Sequence, residues 1–225
     1  MNAIPAIRPE ATLAELAVLR PGASRVFHRH GLDFCCHGRI PLREACARRE
    51  LAVEALVAEI EAEAQPGEAS VRWDEKPLPE LINHILSRYH ERHREELPRL
   101  LAMARKVEAV HADKASSPRG LAALLEEAHG AMESHMQKEE FVLFPLIRSG
   151  RGALAAFPVR AMEAEHEDHG RNLALLRERC RGYVAPPEAC ETWRALYLGL
   201  HELEQELMEH IHLEKNVLFP RALRS

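Results

Sequence analysis

The chain lacks any apolar run of the ~20 residues that a membrane-spanning helix needs, so no membrane span is expected. Its N-terminus has no basic segment followed by an apolar core, so no secretory leader is expected either. Glycine (11) and proline (14) are too sparse for a collagen-like or low-complexity chain. No stretch shows the Val-, Ile- and Thr-rich alternation of β-strands. A basic excess is absent: Lys and Arg number 30 against 35 Asp and Glu, a net charge of −5, which argues against nucleic-acid binding. No Cys-x-x-Cys pair exists, which argues against a zinc ribbon. The five cysteines (Cys35, Cys36, Cys46, Cys180 and Cys190) are odd in number and irregularly spaced, unlike a secreted disulfide framework. A reducing cytoplasm is the expected location. Aromatic residues are scarce too, six Phe, three Tyr and two Trp, and 14 histidines outnumber them. More imidazoles than aromatic rings directs the search to metal ligands.

What is present is a chain of 225 residues, 46% hydrophobic and 29% charged, enough for a packed core. Residues 1–65 read as a small helical domain, with helices expected near 12–19, 22–30, 41–48 and 51–63. Gly31 reads as a helix cap, and Asp33-Phe34-Cys35-Cys36-His37-Gly38 as the loop after it. Such a unit is marginal on its own and needs the rest of the chain, or a second copy in a homodimer. Residues 66–79, with Pro66, Gly67, Pro77 and Pro79, read as a linker. Residues 80–225 carry four long helical patterns and read as an up-down four-helix bundle; the fold class is all-α. Prolines 118, 158 and 187 mark helix starts, and Pro145 and Pro220 mark helix ends. Pro98 is expected to kink or split the first bundle helix.

The second and fourth bundle helices repeat one another. His135-Met-Gln-Lys-Glu139 is followed by Glu-Phe-Val-Leu-Phe-Pro145, and His210-Ile-His-Leu-Glu214 by Lys-Asn-Val-Leu-Phe-Pro220. The first and third match more weakly, through Tyr89-His90-Glu-Arg-His93 and Glu165-His166-Glu-Asp-His169. Two hairpins thus each supply one His from the first helix and a His-x-x-x-Glu pair from the second. Residues four apart share a helix face, and all six continue apolar stripes that face the interior. Buried unpaired carboxylates would cost several kcal/mol each, and a metal resolves the conflict. Four imidazoles and two carboxylates suit two ions better than one. Mixed N/O ligands favour non-haem iron, with zinc the runner-up. Two ferric ions offset by two glutamates and an oxo bridge leave a modest net charge. Whether each Glu binds one ion or bridges both stays open. His93 and His169 are expected in supporting or channel positions. His84, His111, His129, His201 and His212 are expected at the surface or its boundary.

Cys35 and Cys36 are adjacent in a loop, with His28, Arg29, His30 and His37 nearby to favour thiolate. Redox relay, thiol exchange and transient metal transfer are the roles open to them. Cys46 is expected in packing.

Together these features resemble the iron–sulfur cluster repair di-iron proteins, the RIC or YtfE-type family. The resemblance rests on Asp33-Phe34-Cys35-Cys36, Arg88 through Arg94, His135 through Pro145, Glu163 through His166 and Met208 through Pro220. It covers nearly the whole chain. It implies a hemerythrin-like bundle and a non-haem di-iron centre ligated by His90, His135, His166 and His210, with Glu139 and Glu214 bridging. It also implies a cytoplasmic stress protein that restores clusters damaged by NO or peroxide, by supplying iron to damaged iron–sulfur proteins. Reduction of NO to N2O, or NO and O2 binding as a sensor, are the alternatives. Where the family loop usually has two glycines after Cys-Cys-x, this chain has His37-Gly38-Arg39.

Overall fold

The computed structural model describes residues 6–20, 22–63 and 71–224. Among these there is no strand, and no described helix is long and apolar enough to cross a membrane. Part of the expected linker and of both termini lies outside the described residues.

Four short helices come first: α1 (Leu13–Leu19), α2 (Ala23–Arg29), α3 (Leu42–Arg48) and α4 (Val53–Glu63). Thr12 starts α1 with a reciprocal cap, its hydroxyl accepting from the Glu15 N–H while the Glu15 carboxylate accepts from the Thr12 N–H. Leu16, Val26, Phe27, Leu42, Cys46, Leu56 and Ile60 are buried between these helices.

Four rods come next. The first comprises α5 (Leu78–Ile85), a π-helical turn over Leu86–His90 and α6 (Glu91–Val110). The second comprises α7 (Leu121–Lys138), a π turn over Glu139–Leu143 and α8 (Phe144–Arg148). The third is α9 (Ala156–Arg179), entered through a 3-10 turn over Gly152–Ala155. The fourth comprises α10 (Glu191–His212), a π turn over Leu213–Leu218 and α11 (Phe219–Ala222). The α6 rod packs on α7 and α10, and α9 packs on the same two, which closes an antiparallel ring.

The prolines behave differently from expectation. Pro98 lies inside α6 without splitting it. It sits on an exposed face, where the ring meets solvent and the carbonyl it leaves unpaired need not be buried. Pro145 and Pro220 do not end helices; each stands in the first turn after a π turn. A π turn already breaks the regular hydrogen-bond ladder there, so a missing N–H costs little. Pro187 is not a helix start either. It lies within a turn closed by the Ala189 N–H donating to the Pro186 carbonyl at 2.9 Å, and α10 begins later, at Glu191.

The apolar interior forms two separate clusters. One joins the N-terminal helices to the distal bundle, from Leu13, Phe27 and Phe34 to Leu100, Leu125, Trp193 and Leu200. The other fills the opposite end with Ile82, Ile85, Phe144, Val159, Leu218 and Phe219. A polar layer lies between them.

Candidate metal centre

The polar layer contains the six residues singled out by the repeat. His90, His135, Glu139, His166, His210 and Glu214 are each no more than 1% exposed. They form two groups whose potential ligand atoms lie within 4.8 Å of one another: His90, Glu139, His210 and Glu214 in one, His135, Glu139, His166 and Glu214 in the other. The two carboxylates belong to both groups.

Their oxygens are divided between the groups. Glu139 Oε2 lies 3.4 Å from His90 Nε2, and its Oε1 lies 3.5 Å from His135 Nε2. Glu214 Oε1 lies 3.0 Å from His210 Nε2, and its Oε2 lies 3.1 Å from His166 Nε2. Each carboxylate therefore offers one oxygen to each group. Two donors at ~2.1 Å from a common ion, set at a right angle, stand ~3 Å apart, which is close to these spacings.

Local backbone geometry places these residues. His90 closes the first π turn, Glu139 opens the second and Glu214 lies in the third. A π turn inserts an extra residue and shifts the side-chain register of the helix beyond it, a feature frequent at functional sites.

The hydrogen-bond inventory points to a cation. Both oxygens of Glu139, Glu214 Oε2 and His90 Nε2 are buried without a hydrogen-bond partner. Orphaning that many buried polar atoms is costly unless a positive ion faces them. Meanwhile the rear nitrogens of two imidazoles are held by carboxylates: His90 Nδ1 to Glu140 at 2.8 Å and His135 Nδ1 to Glu165 at 2.9 Å. This arrangement leaves each Nε2 free to ligate and raises its basicity. The His135 hydrogen bond draws the Glu165 carboxyl down to about 2. Burial pulls His135 down, but Glu139, Glu165 and Glu214 outweigh it and lift the imidazole to about 9. Tyr89 stacks on His210, with ring centroids 5.2 Å apart and planes 4° apart.

Spacing alone does not single out Glu140, Glu165 and Tyr89. Two of them carry a positional signal nonetheless: Tyr89 and Glu165 each immediately precede the upstream His of a hairpin, and each reaches a His of the other hairpin.

His93 and His169 line a cavity of about 20 Å³ beside the two groups, with Leu97, Met132, Leu173 and Leu207. Burial, with His210 and His90 close by, pushes His93 well below the usual imidazole range. Burial, with His135 and His166, brings His169 to about 3. Both are neutral. Two other histidines depart from expectation. His111 (7% exposed) is tilted against Trp193, and His212 (4%) sits against Phe34, so neither is a surface residue.

The cysteine pair also differs from expectation. Cys35 is 4% exposed and Cys36 half-buried, and their sulfurs stand 3.8 Å apart as free thiols. The basic side chains expected to favour thiolate are engaged elsewhere: His37 on Asp33, His30 on Glu59, Arg29 on Glu63 and His28 on Gln205. A hydrogen bond with Cys36, burial and the Asp33 carboxylate push the Cys35 thiol well up instead. Cys46 packs in the core as expected.

Comparison with known proteins identifies the family. Residues 81–222 match the hemerythrin HHE cation binding domain, and residues 9–64 match a domain of unknown function, DUF542. The iron-sulfur cluster repair protein YtfE of Citrobacter koseri is 50% identical over 213 residues, covering 94% of this chain and 96% of that protein. Its namesake in Pectobacterium atrosepticum is 49% identical over 216 residues, 96% and 97% of the two chains. The YtfE protein of Escherichia coli O17:K52:H18 is 50% identical over 212 residues, 94% and 96%. The chain belongs to the YtfE iron-sulfur cluster repair family. Its bundle is accordingly hemerythrin-like, and the two His/Glu groups lie within the part that matches the cation-binding domain.

Proposed function

We propose that the chain restores damaged iron–sulfur clusters in other proteins, and that it holds two non-haem iron ions for this task. One observation carries the proposal: two buried ligand groups that share both carboxylates, each oxygen assigned to a different group. Bound there, a pair of iron ions would supply redox chemistry and, when ferrous, exchangeable iron. His90 and His210 would serve one ion, His135 and His166 the other, and Glu139 and Glu214 both. An oxo bridge would complete the charge balance. Glu140 and Glu165 hold two of the imidazoles with Nε2 forward. The two apolar clusters keep bulk water from either end of the layer.

The cytoplasm suits a chain whose five cysteines are all free thiols. Residues 1–65 and 80–225 serve as the Cys-bearing unit and the metal-binding bundle of the proposed repair protein.

The deciding experiment loads the protein with ferrous iron and supplies it to a dehydratase stripped of its cluster. About two irons per chain, an oxo-to-ferric absorption band after oxidation and recovery of dehydratase activity are expected. An iron-loaded protein that restores no activity refutes repair by iron supply.

A second reading, binding of NO or its reduction to N2O, is favoured by the cavity beside His93 and His169. Its volume of about 20 Å³ accepts one water-sized molecule, and its neutral imidazoles and apolar walls suit an uncharged diatomic. Catalytic N2O release from the ferrous protein would support it; a stable nitrosyl would favour sensing instead.

A further inference from the structure

Beyond the bundle centre, a second set of ligand atoms is gathered in the loop after α2. Asp33, Cys35 and Cys36 place an oxygen and two sulfurs within 4.8 Å of one another. The set is preorganised. Asp33 Oδ1 accepts from the backbone N–H of Cys35 at 3.1 Å and of Cys36 at 2.8 Å, and lies 3.2 Å from Cys35 Sγ. The sulfurs are 3.8 Å apart. Two thiolates at ~2.3 Å from a tetrahedral ion are separated by ~3.8 Å, so the spacing is that of a chelate and far from the ~2.05 Å of a disulfide.

The loop is fastened to the elements that carry the bundle ligands. Cys36 Sγ lies 3.6 Å from the backbone carbonyl of His166. The Asn216 amide, two residues past Glu214, donates to the Cys35 carbonyl at 3.1 Å. On its other side the pair lines a cleft of about 510 Å³ with His28, Arg49 and Glu204.

We propose that Asp33, Cys35 and Cys36 form a third, mononuclear site, through which ferrous iron passes from the bundle centre to an acceptor at the cleft. This rests on the repair reading above. Three ligands leave a fourth position of a tetrahedral ion for an acceptor's donor atom. Uptake replaces two S–H bonds with two S–Fe bonds and releases two protons to solvent. Hand-over reverses this: the acceptor's deprotonated ligands take the ion and the two sulfurs regain protons. Iron stays ferrous and no electron moves.

The test is an anaerobic titration of the full chain, thiols reduced, with cobalt(II). Three equivalents are expected, one of which brings an intense near-ultraviolet thiolate-to-cobalt band that imidazole and carboxylate ligands do not give. Cys35→Ser and Cys36→Ser should each abolish the band and one equivalent while two remain. Asp33→Asn, which keeps the acceptor for both N–H groups, should weaken that equivalent about tenfold or more. Cys46→Ser should retain the band. Uptake of two equivalents without a thiolate band overturns the third site and leaves the bundle reading standing. A thiolate band without the other two equivalents does the reverse. For transit, release of ferrous iron from the loaded chain to a chelator should slow several-fold in Cys36→Ser; an unchanged rate overturns the transit role.

Discussion

Glu139 and Glu214 are the side chains on which the proposed centre depends, since each stands in both candidate groups. Glu139→Ala removes one oxygen from each group at once. The expected outcome is loss of both ions: metal content falls from about two per chain to near zero, read by elemental analysis, and the metal-dependent rise in melting temperature disappears. Glu140→Gln and Glu165→Gln leave the ligands in place but weaken the grip on His90 and His135. Metal affinity should fall about 10–100-fold in each, measured by competition with a chelator. The cysteine loop makes a different residue-scale demand. A Cβ on Gly38 would lie 2.1 Å from the Phe34 carbonyl oxygen, so Gly38→Ala must open the loop. A loss of about 2 kcal/mol or more in chemical denaturation is expected. Arg39 beside it is exposed, so Gly38 is the loop residue at which an added side chain meets backbone. The six bundle residues were legible in the sequence because helical periodicity places His-x-x-x-Glu on an apolar stripe. Their supports were not. Glu140 and Glu165 act across helices, and which residue faces a neighbouring rod depends on packing that one helix's period does not encode.

At the scale of elements, three of the four rods contain a π turn that includes one of these six residues. The repeated Val-Leu-Phe-Pro after each His-x-x-x-Glu reads as a helix end in sequence, because proline usually stops a helix. In the structure it marks a change of register within a continuing rod. Helix type is invisible to a pattern that assumes a single period. Pro98 carries no such register change. Pro98→Ala restores an N–H and removes the ring, so it should stabilise α6 by about 1–3 kcal/mol, seen as a melting temperature several degrees higher with metal content unchanged. The four short N-terminal helices were readable from caps and short apolar runs. What they pack against was not.

On the scale of the molecule, the N-terminal helices share one apolar cluster with the distal bundle, and Ser24 reaches Glu209 while Arg177 pairs with Glu204 beside His28. A fragment of residues 6–63 should accordingly fail to unfold cooperatively in a thermal melt, whereas the full chain does. The metal-free chain should also show a stability maximum near neutrality. His135 sits at about 9 when folded against ~6.5 unfolded, so its contribution is complete below ~6.5 and fades as pH rises through 9. His169, at about 3 when folded, acts in the opposite sense: its contribution is complete above ~6.5 and is lost as pH falls toward 3. Glu165, at about 2, adds to the acid-side loss below the ordinary carboxyl range. Melting temperature against pH checks this, and bound metal should flatten the alkaline side by holding His135 deprotonated.

The split interior has a mechanical corollary. Two oily lobes meet at a waist held by its own opposed charges and by any ions seated among them. Emptying the waist should let it breathe while the lobes stay closed. Amide hydrogen exchange would then accelerate around residues 86–90, 139–143 and 213–218 on demetallation, and remain slow around Trp193 and Phe27. Losing bound metal and loosening at the girdle would then be one event.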